Sequence, residues 1–215
     1  MGFKSKKGMI GIEAAIILIA FVIVATAFGY MVINMGMTAT SKGKESIQVG
    51  LQEASSPLTI DGTILLREQN QKVNAIIIPL KVVGVDYVPM GANRTVVSVR
   101  MNATAYPNVY LGVDTSNDPA EKTFDDLVDV VKSDTTSSLY IKAKLFLENN
   151  NGDDAFDFHE KGYLVIYIDS GNAIVKSRAQ ILIEIRPEKS APLTIEFVVP
   201  PNLPASSTNT YIPVG

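Results

Sequence analysis

The chain has 215 residues, of which 19 are Lys or Arg and 22 are Asp or Glu, so its formal net charge is −3. It contains no cysteine, which excludes disulfides, thiol catalysis and cysteine-ligated metals. The single histidine, His159, excludes a multi-histidine metal site within one chain. The slightly acidic balance argues against nucleic acid as a partner, because phosphate binding calls for a basic surface.

The chain opens with a short basic segment that is followed by an apolar one. Three lysines, Lys4, Lys6 and Lys7, precede Gly8, and no charged residue occurs from Ala14 to Ser41. At 1.5 Å per residue, about 20 residues span a hydrocarbon core of ~30 Å, so this segment must reside in a membrane at some stage. The lysines place the N-terminus on the cytoplasmic side of that membrane.

Three interpretations of the segment compete. A cleaved secretory signal has a short apolar region and a small-residue cleavage site, and this apolar run is too long for one. The second is a plain membrane anchor. The third is a leader that is cut between Gly8 and Met9, which leaves the apolar helix as the new N-terminus. Glu13 favours the third, because a carboxylate is costly in lipid unless it pairs with the N-terminal amine of a neighbouring subunit.

The apolar helix is predicted to extend over residues 9–56. Apolar residues continue to recur among charged ones as far as Leu51, and Pro57 disfavours helix in the residue before it. A helix that is apolar on all sides must be surrounded by lipid or by other helices. Gly29 and Gly36 would permit close helix–helix approach, although isolated glycines also simply weaken a helix.

Residues 57–201 change from a helical to an alternating pattern. Leu58, Ile60, Gly62, Ile64 and Leu66 fall on one face of a strand. Further strands are predicted at Val73–Val83, Thr95–Met101, Val109–Val113, Leu139–Leu147, Tyr163–Asp169, Ala173–Ile185 and Pro192–Val199, and one helix at Glu121–Lys132.

The predicted fold class follows from this order of elements. It is α+β, with a long N-terminal hydrophobic α-helix followed by an immunoglobulin-like β-sandwich head. Residues 202–215, which are rich in Pro, Ser, Thr and Asn, are predicted to form an exposed C-terminal tail.

Both ends of the chain resemble one known family. Lys6-Lys7-Gly8 leads into Met9-Ile10-Gly11-Ile12-Glu13 and then into an aliphatic stretch that ends at Phe21. This order resembles the leader and helix of archaeal flagellins, or archaellins, which are type IV pilin-like filament subunits with a class III signal peptide. Ala191–Glu196 and the following Val198-Val199-Pro200 are similar to the C-terminal signature of that family.

The resemblance implies the roles of several N-terminal residues. Residues 1–8 would be the leader, cut between Gly8 and Met9, and the helix 9–56 would drive polymerisation. The residues predicted to set helix packing and register are Gly11, Glu13, Phe21, Phe28 and Gly29.

Little in the sequence indicates chemistry. No Gly-x-Ser-x-Gly or Walker-type motif occurs, and His159 lies in a polar run typical of a surface position. The acidic segment around Asp153, Asp154 and Asp157 offers oxygen ligands for a structural Ca²⁺, but a solvated turn explains the same composition. Otherwise we expect no cofactor.

Two N-glycosylation sequons begin at Asn93 and Asn102. Such short motifs arise by chance, but an exported surface protein presents them to the glycosylation machinery. The resemblance also favours glycans, because archaellins are commonly N-glycosylated.

The resemblance implies a structural, non-enzymatic subunit of the archaellum filament, which serves motility. Its partners would be copies of itself, a prepilin-type signal peptidase, and the archaellum assembly ATPase with its membrane platform. The precursor would be inserted in the membrane and the final product would be extracellular, on the cell surface. Two alternatives remain: an archaeal type IV adhesion pilin, and a membrane-anchored binding or enzymatic ectodomain that stays uncleaved and monomeric.

Overall fold

The computed structural model describes residues 7–54, 56–205 and 208–214. The chain divides into two units, with the boundary between Leu51 and Gln52. The described residues of the first unit form one helix, and the second unit is built mainly of β-strands. This confirms the predicted α+β class with an N-terminal helix and a β-rich head.

Helix α1 extends over Lys7–Ala54 and comprises 48 residues. It starts two residues before the predicted 9–56 helix, because the chain still carries Lys7 and Gly8 and the helix continues into them. It ends two residues before the predicted end, in keeping with the bias of a proline, here Pro57, against helix in the residue before it. The predicted leader, residues 1–8, lies outside the described residues except for Lys7 and Gly8.

The described residues of the head form thirteen strands and one helix. In chain order they are β1 Leu58–Ile60, β2 Ile64–Gln69, β3 Lys72–Val82, β4 Tyr87–Pro89, β5 Thr95–Met101, β6 Thr104–Tyr106, β7 Tyr110–Asp114, α2 Phe124–Ser133, β8 Ile141–Glu148, β9 Ala155–Asp157, β10 Lys161–Ile168, β11 Gln180–Pro187, β12 Leu193–Val198 and β13 Thr210–Val214.

These strands form two facing sheets and a short ribbon. The larger sheet has the order β13-β2-β3-β10-β8-β7, with β1 also paired to β3. Its pairs are antiparallel except β7–β8. The smaller sheet has the order β12-β11-β5-β6, and β4 pairs with β9 in the ribbon.

The inner faces of the two sheets share one hydrophobic core. It includes Leu66, Ile78 and Ile166 from the larger sheet and Val99 and Ile183 from the smaller one, all buried. Their alternation with outward-facing residues is the pattern that favours a sandwich. The sequence-predicted β-sandwich is therefore present.

The predicted strand around residues 58–66 is present as two pieces. β1 and β2 pair with the same strand, since Leu58 lies opposite Val82 and Leu66 lies opposite Ile76. Gly62, between them, has φ +128°, a conformation that L side chains rarely adopt. Leu58 and Leu66 face the same core, so the predicted alternation is confirmed although the pairing is interrupted.

Gly162 on β10 permits one close approach in the core. A Cβ at this position would lie 2.8 Å from Cζ of Phe156, which is fully buried. The ring of Phe156 therefore packs directly on the backbone of β10 and attaches the β4–β9 ribbon to the larger sheet.

Helix α2 covers the outer face of the larger sheet. Leu127, Val128 and Val131 are buried against residues such as Ile77 and Val165. The helix begins at Phe124 and not at the predicted Glu121, because Thr123 and Asp126 form a capping box that fixes its N-terminus.

The prediction of an exposed tail over residues 202–215 is wrong for its last part. β13 pairs with β2, and the Tyr211 hydroxyl donates a hydrogen bond to Asp125 on α2 (2.9 Å). The physical reason is that the β2 edge, without β13, would present unpaired backbone groups to solvent.

The predicted strand Ala173–Ile185 is also partly wrong. The strand begins at Gln180, and the preceding residues form turns with one isolated bridge from Val175 to Val73. Arg178 has φ +63°, which is incompatible with an extended strand.

A charged cluster joins three elements near the end of α2. The Lys144 ammonium lies 2.8 Å from Asp134 and 3.3 Å from Asp114, and all three side chains are largely buried. Hydrogen bonding to Lys144, aided by Thr136, holds the pKa of Asp134 well below its ordinary value. Burial alone would raise the pKa of Asp114, but hydrogen bonds from Asn117, Ser116 and Lys144 outweigh burial and lower it.

We expect Lys144→Met to destabilise the head by about 3 kcal/mol, because two buried carboxylates would lose their cation. The matched control is Lys81→Met, which breaks the solvent-exposed bridge to Asp61 and should cost ~0.5 kcal/mol. Thermal unfolding of the full chain in detergent, followed by tyrosine fluorescence, measures both. An equal loss of stability in the two variants would contradict the stabilising role of the buried Lys144 cluster.

The stability of Lys144→Met should change with pH in the direction opposite to that of the parent protein. In the parent, the lowered carboxylate pKa values stabilise the fold above the unfolded pKa, and this contribution is lost as pH falls through the folded pKa. In Lys144→Met the same carboxylates are buried without a cation, so acidification from neutral pH to about pH 4 should stabilise it. If the stability of parent and variant changed with pH in parallel, this expectation would be wrong.

Candidate assembly surface

The apolar surface of α1 is the candidate functional site. The large apolar side chains of residues 11–48 are exposed in the single chain, from 50% for Val22 to 75% for Phe21. The segment Gly11–Gln48 is long and apolar enough to cross a membrane, and none of its most apolar window is buried within the chain. Such an area of exposed aliphatic surface marks a place where lipid or protein must pack.

The three threonines inside the apolar run bond within their own helix. The Thr26 hydroxyl donates to the Val22 carbonyl (2.8 Å), and Thr40 donates to Gly36 (2.8 Å). Thr38 donates in the same way to Asn34 (2.9 Å). These hydroxyls are therefore already satisfied in an apolar environment and do not require water.

The sequence-predicted packing residues lie along this surface. Glu13, Phe21 and Phe28 are exposed, and a Cβ at Gly11 or Gly29 would meet nothing within 4 Å. Gly8 and Met9 lie within α1, but their side-chain surroundings are outside the described residues. The structure places these residues on one helix and does not by itself test their roles.

The regular spacing of four glycines in α1 is a feature that the sequence analysis did not predict. Gly29, Gly36, Gly43 and Gly50 recur every seven residues, and none has a heavy atom close to the position of an added Cβ. A seven-residue period drifts only about 20° per repeat on a straight helix, so the four glycines share one side. The spacing itself is the signal that identifies them.

The acidic loop uses its side chains to hold its own turns. Asp153 accepts from the Ala155 N–H (2.8 Å), and Asp157 accepts from the Asn151 side-chain amide (3.0 Å). Glu160 accepts from the Asn151 and Asp157 backbone N–H groups (3.2 and 3.0 Å). Burial raises the pKa of Glu160 above its ordinary value, although those two N–H groups oppose the shift.

This geometry gives the predicted calcium site no support. Among the described residues, no three His, Cys, Asp or Glu side chains come together in an arrangement that could hold a metal. Asp153, Asp154 and Asp157 are therefore not assembled into one ligand set. The Asn, Asp and Gly residues of the loop serve its backbone turns.

The two sequon asparagines flank β5 and are exposed. Asn102 has φ +51°, and its Oδ1 accepts from the Gln180 N–H (3.1 Å). An N-linked glycan attaches to Nδ2, so this hydrogen bond leaves the modification atom available. His159 is also exposed and lies edge-on to Phe158 with ring centroids 5.3 Å apart, as expected for a surface histidine.

Known proteins match almost the whole chain. The family model described as archaeal-type flagellin matches residues 8–197. A probable flagellin of Aeropyrum pernix is 39% identical over 207 residues, which covers 94% of this chain and 96% of the relative. A probable flagellin of Archaeoglobus fulgidus is 28% identical over 204 residues, which covers 93% of each.

A solved structure supports the fold. The crystal structure of an archaeal flagellin from Methanocaldococcus jannaschii aligns with a TM-score of 0.57 and 15% identity. It covers 74% of this chain and 96% of that one. The extent of the family match and the identity to the Aeropyrum relative decide the assignment: the chain belongs to the archaeal-type flagellin family.

Proposed function

We propose that this flagellin polymerises through α1 after its leader is removed, and that the polymer is the archaellum filament. The observation that carries the proposal is the exposed aliphatic surface of α1, which cannot remain in water. Membership of the flagellin family makes the chain a structural subunit of the archaellum and indicates a non-enzymatic role.

Identical helices are the partner that fits α1 best. Lipid and neighbouring helices are equally apolar, so the transfer from membrane to filament is driven by packing and polar pairing rather than by hydrophobic burial. The glycines at seven-residue spacing let helices approach closely. Each buried Leu or Ile would still contribute about 1.5–3 kcal/mol relative to water, which makes the assembled core resistant to dissociation.

The alternatives fit less well. An adhesion pilin shares the leader and helix, but the flagellin family match covers the head as far as residue 197. A monomeric membrane-anchored ectodomain has no use for an exposed carboxylate at Glu13 inside an apolar helix.

The route to the cell surface follows from the same helix. The precursor would wait in the membrane with its head outside, and a prepilin-type peptidase would cut after Gly8. An assembly ATPase and its membrane platform would then supply subunits to the growing filament. The family assignment and the membrane-compatible helix support this route.

We expect the subunit in purified filaments to begin at Met9. N-terminal sequencing checks this directly. Gly8→Leu should leave the precursor uncut and in the membrane fraction, because a large side chain would replace the small residue at the cut. Gly2→Leu, which lies away from the cut, should be processed normally. Filaments built of subunits that retain residues 1–8 would contradict the leader.

Glu13→Ala should lower the equilibrium constant for subunit addition at least tenfold, because the new N-terminal amine of a neighbour would lose its carboxylate partner. Tenfold corresponds to about 1.4 kcal/mol, modest for a charge pair in an apolar core. The ratio of filament to membrane-bound subunit, measured in cells lacking their own flagellin, reports the effect. Thr40→Ala is the control, since its hydroxyl bonds within its own helix. Parental filament yield from Glu13→Ala would refute the pairing.

Glycosylation of the head is expected at both sequons. Native subunits should have an intact mass above that of the polypeptide. Asn93→Gln and Asn102→Gln should each remove one glycan, whereas Asn202→Gln, outside any sequon, should remove none. A native mass equal to that of the polypeptide from Met9 onward would exclude the modification.

A further inference from the structure

The two ends of the β-sandwich differ in a way that the proposed function does not explain. At one end β3 and β8 finish and β10 begins, and the segments 83–94, 115–123, 149–160 and 188–192 lie there. We name this the Pro57 end, because Val83 donates a backbone hydrogen bond to Pro57. At the other end β3 and β8 begin and β10 finishes, and we name it the Ile141 end.

Each end carries a set of exposed apolar side chains. Val83, Tyr87 and Phe158 lie at the Pro57 end, where the Phe158 N–H bonds the Asp86 carbonyl (2.9 Å) and so joins the two segments. They are 48–60% exposed. Monomeric proteins scatter such residues singly, whereas grouped aromatic and aliphatic side chains mark interaction surfaces.

The Ile141 end has a matching set. Leu139, Tyr140 and Ile174 are 45–53% exposed there. The Asp169 N–H bonds the Tyr140 carbonyl (2.8 Å), which brings the segment before β8 against the loop after β10. Among the described residues of the head, only two other large apolar side chains are comparably exposed, Val96 and Val198, and both lie on the outer face of the smaller sheet.

The two ends also differ in net charge. The four segments of the Pro57 end hold eight acidic and three basic residues. The acidic ones are Asp86, Asp118, Glu121, Asp153, Asp154, Asp157, Glu160 and Glu188, and the basic ones are Arg94, Lys122 and Lys189. This end therefore has a clear negative excess.

The Ile141 end is weakly basic. Lys72, Lys132, Lys176 and Arg178 lie in or beside its loops. Its two acidic loop residues, Asp134 and Asp169, are partly buried, and Asp134 pairs with Lys144 (2.8 Å), whereas Lys132, Lys176 and Arg178 are exposed. Complementary charge steers association and suppresses contacts between like ends.

We infer that the Pro57 end of one head docks on the Ile141 end of the next copy of this chain. The inference rests on the proposed function, because a helical polymer is built from heterologous contacts, in which two different patches of each subunit meet. Such a contact requires two different apolar patches on one domain, and the acidic surroundings of one patch and the weakly basic surroundings of the other favour it. Packing against itself would bring the acidic end onto another acidic end, which is unfavourable.

The absence of cysteine from the chain permits a direct test. Filaments of the full chain carrying Tyr87→Cys together with Tyr140→Cys are treated with a short bis-maleimide and analysed by denaturing electrophoresis. We expect a ladder of covalent trimers and larger species. Filaments carrying Tyr87→Cys alone or Tyr140→Cys alone should remain monomeric, and filaments co-assembled from the two single variants should give dimers without a ladder.

A control pair separates this contact from random collision. Val96→Cys with Val198→Cys places thiols on the outer face of the smaller sheet and should give no ladder. Complete labelling of Tyr87→Cys and Tyr140→Cys by a monofunctional maleimide, with no ladder from the double variant, would overturn the inference. Dimers from either single variant would overturn it too, since they indicate like-with-like contact. Failure of the unsubstituted chain to form filaments would instead contradict the proposed function.

Discussion

The organisation of this flagellin depends on one constraint: α1 exposes aliphatic side chains on every side. The backbone of a helix is satisfied by its own hydrogen bonds, and the threonine hydroxyls of α1 bond its own carbonyls, so only the side chains need an apolar environment. Lipid and a bundle of identical helices both meet that need. The same segment can therefore serve first as a membrane helix and then as the core of a filament, with no refolding between the two states.

The head is held together by contacts within its own chain. Its two sheets share a core, α2 covers the outer face of the larger sheet, and the buried Lys144 cluster fixes the end of α2. Because the core is complete within one chain, contacts between heads must use surfaces that remain exposed. The head can therefore be present both before and after assembly in the same conformation, while α1 changes its surroundings.

The sequence predicts the parts of this structure that depend on local patterns. The uncharged run after Glu13 predicts α1, and the alternation from Leu58 to Leu66 predicts the core face of β1 and β2. The resemblance of the chain to archaeal flagellins is confirmed by the family match over residues 8–197. Other features depend on distant residues: β13 contains Pro213 and has little strand pattern, and it is ordered by pairing with β2, which lies far away in the sequence. The acidic loop suggests ligands in sequence, yet its side chains bond its own backbone.

The position of β13 has a consequence for a crowded polymer. It lies beyond residue 197, where the family match ends, and it covers the free edge of β2. A filament holds many heads at high local concentration, and an open sheet edge is a template for indiscriminate strand pairing. β13 closes that edge with a short strand whose Pro213 has no N–H to donate, and β6, at one edge of the smaller sheet, has only three residues. Edge-to-edge pairing through β2 and β6 is thereby discouraged, which favours side-chain contacts over backbone hydrogen bonds at these two edges.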